Sequence, residues 1–255
     1  NKNGVYDTGV DKAMTRNGNA ITSDANGYFT ITNGDLTENN IADINKLKLV
    51  AYGGIDTVTG EAVTIDFTAP EGYRYLNPIT SLIAAYMEAY NEANPNAKIT
   101  AAQAEAAVEA ALGLPNLDYA ATDLAAPATA VEAQKAAAIL AVAALLIEES
   151  GTESDGFAYL AANMAPPADP TPGTTTYLVD QVITVLQEVA ETTGDTTPVS
   201  QFRVTVVAVN AEETLSSIND SLNAPIFDDH VVTGTAQVGQ LIYGSLGVGR
   251  TTGQF

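Results

Sequence analysis

At Asn77 the hydrophobic period of this chain changes, and that change constrains the fold more than any other feature. Before it, short runs of β-forming residues are broken by Gly, Asn, Asp and Thr clusters, which is the pattern of an all-β unit. After it, Ile79, Leu82, Ile83, Tyr86, Met87 and Tyr90 fall three and four apart, the spacing of one helix face. Asn77 can cap that helix and Pro78 suits its first position. The expected class is therefore α+β, with a β portion over 1–76, a helical domain over 77–224 and a β-like tail over 225–255.

Within the first portion, Ala20–Ser23 and Tyr28–Ile31 flank Asn26-Gly27 and read as a hairpin, because Asn-Gly supplies the positive φ of a tight turn. Leu47–Tyr52, closed by Gly53-Gly54, reads as a further strand. Ala62–Phe67 reads as another, with Val63, Ile65 and Phe67 on one face.

Five more helices are expected after the one at Pro78. Thr100 and Gln103 stand at capping-box spacing, and that helix ends at Leu112-Gly113 with Pro115 beyond. The next covers 129–149, where Ile139, Val142, Leu145 and Leu146 form a stripe among alanines small enough to let helices approach closely. A short one covers Phe157–Met164, before the proline-rich stretch that ends at Gly173. A long one covers Thr175–Thr193, with Leu178, Val182, Ile183, Leu186 and Val189 facing inward and Gly194 ending it. The segment 198–223 carries both signals: its valines favour a strand, but Val204, Val207, Ala211, Leu215, Ile218 and Leu222 keep the helical period after a Thr197-Pro198 start. Helix is the reading adopted. From Pro225 onward Val231-Val232 and Leu241-Ile242-Tyr243 are β-like, with no local partner strand.

Charge and composition remove whole classes of function. The net charge is −21, and residues 1–76 hold 10 acids against 6 bases while the remainder holds 21 against 4. Such a surface repels polyanions, so nucleic acid is excluded as a partner. The chain has no Cys and one His, His230, which excludes disulfides, thiolate catalysis and multi-imidazole metal sites. Ala136–Ile147 is the longest apolar stretch and falls short of the roughly 20 residues a membrane span needs. The chain opens on Asn1-Lys2-Asn3 without Met, from which a processed N-terminus and export are expected.

Asn1, Asn3, Gly4 and Asp7 are spaced like the middle of a calcium loop, with oxygen ligands at alternate positions and Gly at the turn. The leading Asp would precede Asn1, and Asp11 stands one position late for the closing ligand. An ordinary Asn/Asp-rich turn explains the same residues without a metal.

Asn1–Asp7, Thr22–Phe29, Ala51–Asp56, Thr59-Gly60, Asn77–Leu82 and Ala110–Leu114 together resemble modules of large bacterial surface proteins and adhesins. The resemblance covers roughly residues 1–150. It implies a calcium-stabilised, prealbumin-like β-sandwich, similar to the B repeats of Gram-positive adhesins, followed by an Ala-rich helical bundle. It also implies Asn1, Asn3, Asp7 and Asp11 as the calcium ligands. The opening strand and leading Asp of such modules are absent here.

Enzymatic readings find little to build on. Glu148-Glu149 and Glu212-Glu213 are the paired carboxylates a glycoside hydrolase would need, but both read as exposed helical pairs, and no Trp is present to stack a sugar. Gly247–Gly253 resembles a phosphate loop without the helix that should follow it. His230 beside Asp228 and Asp229 reads as a solvated loop. The function expected is that of a non-enzymatic extracellular structural protein. It would be a subunit of a cell-surface filament or adhesin stalk whose copies join head to tail, the tail around His230–Tyr243 of one adding as a strand to the next, with other surface or matrix components as further partners. A calcium-dependent adhesion module binding a ligand and a secreted hydrolase are the alternatives.

Overall fold

The computed structural model describes residues 13–24, 29–42, 48–53, 64–124, 126, 131–164, 175–214 and 217–218. Among these lie four strands, β1 (Thr15–Arg16), β2 (Asn19–Ala20), β3 (Leu49–Ala51) and β4 (Phe67–Ala69), and seven helices. The helices are α1 (Asn33–Glu38), α2 (Pro78–Ala93), α3 (Ala101–Leu112), α4 (Val131–Glu149), α5 (Gly156–Asn163), α6 (Thr175–Thr193) and α7 (Thr197–Ala211).

The expected α+β class with an N-terminal β-sandwich is overturned. The described strands form two separate antiparallel pairs, β1–β2 and β3–β4, and no second sheet faces either. The physical reason lies in what covers β4. All three of its residues are buried, yet they pack on α2, and Phe67 meets Phe157 of α5 with ring centroids 5.8 Å apart. A helix supplies the apolar cover that a facing sheet would have supplied.

The expected hairpin of Ala20–Ser23 with Tyr28–Ile31 does not form in its described residues; a different one, β1–β2, turns at Asn17-Gly18. Asn17 (φ 53°) and Gly18 (φ 77°) both occupy the left-handed region, which is the requirement of a type I′ turn. Thr15 pairs with Ala20 across it. Ile21–Asp24 and Phe29–Ile31 are not strands. The Glu38 carboxylate accepts from the amides of Asn17 (2.7 Å) and Gly18 (3.0 Å), tying this turn to α1. Arg16 adds an ion pair to the buried Asp35 at 2.8 Å. In the second pair Leu49 opposes Ala69 and Ala51 opposes Phe67; of the expected strand at Ala62–Phe67, Ala62 and Val63 lie outside the described residues, Thr64–Asp66 are not strand, and β4 begins at Phe67.

Five helices, α2 to α6, lie where the sequence placed them, and several of their ends are chemically marked. The Asn77 side chain accepts from the amides of Ile79 and Thr80, the Asn77 amide donates to Thr80 Oγ1, and Pro78 starts α2. Thr100 and Gln103 form the expected capping box of α3, and Gly113 ends it at φ 62°. Gly194 does the same for α6 at φ 76°. Of the long segment expected at 198–223, α7 runs to Ala211, Glu212–Thr214 leave the helix, Ser217 and Ile218 are helical again, and the other residues lie outside the described ones.

α4 is the centre. Every residue from Ala133 to Ile147 is buried, with α2, α5, α6 and α7 packed around it. Its alanines permit that crowding, since short side chains bring neighbouring backbones close. Two polar residues on α4 are buried with partners. Gln134 donates to the Leu124 carbonyl at 2.7 Å. Lys135 donates to the Asn210 carbonyl at 3.2 Å, placing a cation at the C-terminal end of α7 where the helix dipole favours it. One apolar core joins Ala51, Ile65 and Phe67 to residues as far along the chain as Ile218.

α7 corrects one expected core face. Val204 and Val207, assigned inward by the helical period, are 46% and 72% exposed, while Phe202, Val206 and Val209 are buried. Among the described residues no helix is long and apolar enough to cross a membrane.

Candidate functional site

A group of perturbed carboxyls lies where α4 ends and α5 begins. Ala144 and Glu148 are four residues apart on α4 and so share a face. Gly156 opens α5 directly over that face, so close that a Cβ on it would lie 2.2 Å from the Ala144 carbonyl oxygen. Only glycine lets the backbones approach this far. The Gly156 amide then donates to Glu148 Oε1 at 3.0 Å. Asp155 caps α5, accepting from the Ala158 amide at 2.9 Å.

Burial raises the Glu148 carboxyl to about 8; the negative charges of Asp155, Asp66 and Glu149 push in the same direction, and the Gly156 amide works against them. Burial raises Asp155 as well, with Lys48 opposing. That lysine is committed elsewhere, its ammonium lying 2.8 Å from both carboxylate oxygens of Glu88. A carboxyl that keeps its proton at neutral pH is the chemistry of a general acid. Here one oxygen of Glu148 and one of Asp155 are engaged by the first turn of α5, and the pair positions that helix.

A second cluster repeats the theme on α3. Glu105 accepts from the Tyr73 hydroxyl at 2.6 Å, and Glu109 accepts from the Leu117 amide at 3.0 Å. Burial raises both carboxyls and, with these carboxylates nearby, raises the Tyr73 and Tyr119 phenols above their ordinary range. The Glu109 bond holds the loop between α3 and α4 against α3, and the Glu105 bond ties α3 to the segment between β4 and α2.

An apolar cavity of about 110 Å³ lies between α2, α3 and α5, lined by Leu82, Tyr86, Val108, Leu112, Ala161 and Met164 among others. Among the described residues its walls carry no charged group.

The expected calcium ligands Asn1, Asn3, Asp7 and Asp11 lie outside the described residues, as do Asp228, Asp229, His230 and Gly247–Gly253. Among the described residues no group of three or more His, Cys, Asp or Glu side chains is placed to hold a metal. Glu148 was read as half of an exposed pair, and the structure half-buries it. Glu212 and Glu213 follow α7 instead of lying on it. Comparison with protein-family models, with characterised proteins and with solved structures finds no match to this chain.

Proposed function

We propose that the chain is a non-enzymatic structural subunit of an extracellular surface assembly, a filament or adhesin stalk in which copies join head to tail by strand addition. The observation that carries this reading is how the perturbed carboxylates are used. Glu148 and Asp155 seat α5, and Glu109 binds the loop after α3. Glu38 holds the first hairpin, and Asp35 accepts from the Thr32 amide at 2.6 Å. Each is committed to positioning backbone, the use expected of a load-carrying scaffold.

The loss of the β-sandwich moves the acceptor to the β3–β4 pair. The Thr68 amide of β4 donates to Ser81 Oγ at 3.0 Å, and the Thr68 carbonyl accepts from Thr80 Oγ1 and Ser81 Oγ. Those bonds occupy the edge of β4 that faces α2, so an added strand would lie beside β3. The β-like runs Val231-Val232 and Leu241-Ile242-Tyr243 in the tail around His230–Tyr243 supply a donor sequence. Deleting residues 228–255 tests the reading by analytical ultracentrifugation. Loss of assembly with unchanged melting of the monomer supports strand donation, whereas assemblies that form normally without the tail, or a monomer that unfolds, refute it.

A further inference from the structure

We propose that the recess between α2, α3 and α5 is a binding site for a small, neutral aromatic molecule of one ring. The sequence makes the recess. Ala107 and Ala111 stand one turn apart on α3 and so share a face, and Ala161 of α5 lines the same space. Each of these side chains stops at a methyl group, and about 110 Å³ is left between the three helices. Leu82, Val108 and Leu112, none more than 3% exposed, form the floor. Tyr86 and Met164 are half-buried, as are the three alanines, so the recess opens to solvent along its rim.

The lining decides what can occupy the space. A water held in such a site needs about 2–4 polar partners, and the lining side chains offer the Tyr86 hydroxyl and the weakly accepting thioether of Met164. An apolar guest gives up no hydrogen bond on entering and gains contact with carbon on three sides. A cation or an anion would be stripped of water with no countercharge in the lining, which is costly. The chain's net charge of −21 further disfavours an anion. The guest is therefore neutral.

Size and rim chemistry point to a ring. A dry apolar cavity of about 150 Å³ accommodates benzene, so a recess of about 110 Å³ that is open on one side takes a single ring with any substituent directed outward. Tyr86 presents an aromatic ring and Met164 a thioether, and both make more favourable contacts with an aromatic guest than with an alkyl one. Tyr86 is backed by Tyr90, the ring centroids 6.2 Å apart and the planes inclined by 41°. That pairing holds one wall of the recess in place before any guest arrives, so the site is formed in advance.

Titration of the full chain with toluene, followed by methyl-resolved NMR, tests the site. Saturable shifts are expected at the methyls of Leu82, Val108, Leu112 and Met164, with a dissociation constant on the order of a millimolar or tighter. Benzoate, the same ring carrying a charge, should bind at least about tenfold more weakly. Ala111→Leu fills the recess and should weaken toluene binding by about tenfold or more, and Ala161→Leu fills it from α5 should the first variant fail to fold. Val207→Ala, at an exposed site on α7, should bind as wild type. Shifts that do not saturate or that spread over the chain overturn the proposal, and so does benzoate binding as tightly as toluene; both readings come from the wild-type chain and need no variant. Equal toluene affinity in the wild-type and a folded, filled variant overturns it as well.

Discussion

Adding one methyl at Gly156 tests how tightly the two central helices are seated. A Cβ there would lie 2.2 Å from the Ala144 carbonyl oxygen and 2.5 Å from its Cα. These are backbone atoms of a helix buried along most of its length, so they cannot swing aside as a side chain would. Overpacking of this kind costs about 1–3 kcal/mol, and a rigid obstacle puts Gly156→Ala at the upper end. Alanine recovers up to about 1 kcal/mol of helix propensity, leaving a net loss of about 2 kcal/mol. For a chain of this size that lowers the melting temperature by about 4–8 °C, measured by far-UV circular dichroism. Because the obstacle is backbone, Ala144→Gly added to Gly156→Ala should not restore stability. A Gly156→Ala chain melting at or above wild type would refute the close approach of α4 and α5.

Ser81→Ala leaves the buried Thr68 amide without its acceptor and should cost about 1–3 kcal/mol, seen as a lower denaturation midpoint; an unchanged midpoint would show that β4 is not anchored by α2. Phe202→Ala should cost about 3–5 kcal/mol, whereas Val207→Lys, at a site 72% exposed, should change stability by no more than about 0.5 kcal/mol. The reverse order would show that α7 is rotated. The reading of Asn1, Asn3, Asp7 and Asp11 as calcium ligands predicts that a strong calcium chelator lowers the melting temperature, since an ion bound only by the folded state adds to its stability; unchanged melting removes calcium from the account.

The helical part was legible because its boundaries are written in residues with one physical use. Asn77-Pro78 and Thr100 with Gln103 open helices, and Gly113 and Gly194 close them in the left-handed conformation. The first portion was misread because its signals are shared between outcomes. Among the described residues Asn-Gly occurs at 17–18 and 33–34, and the two pairs serve different ends. The first makes the observed turn, while Asn33-Gly34 opens α1, where Thr32 and Asp35 form a capping box. That Thr32-to-Asp35 spacing was readable, and reading it would have placed a helix where a strand was expected to end. α7 shows the limit of periodicity: its valines fit two rotations of the same helix, and the bulk of Phe202, buried in the core, decides between them.

The candidate site was hidden for a related reason. Two adjacent glutamates after an apolar run look solvated, and their surroundings depend on a glycine eight residues further along that sequence pattern alone does not bring near. Glu148 faces Gly156 because α5 folds back across α4, a tertiary fact that overrides the local expectation of exposure. The same folding back gives the acidic chain a half-buried carboxyl that serves structure.

Whether copies of the chain assemble is the question on which the functional account turns. Negative-stain electron microscopy of the purified full chain, imaged over a range of concentrations, answers it. Ordered fibres with a single axial repeat are predicted, and they should be absent when residues 228–255 are removed. Dispersed monomers at every concentration of the full chain would contradict the account.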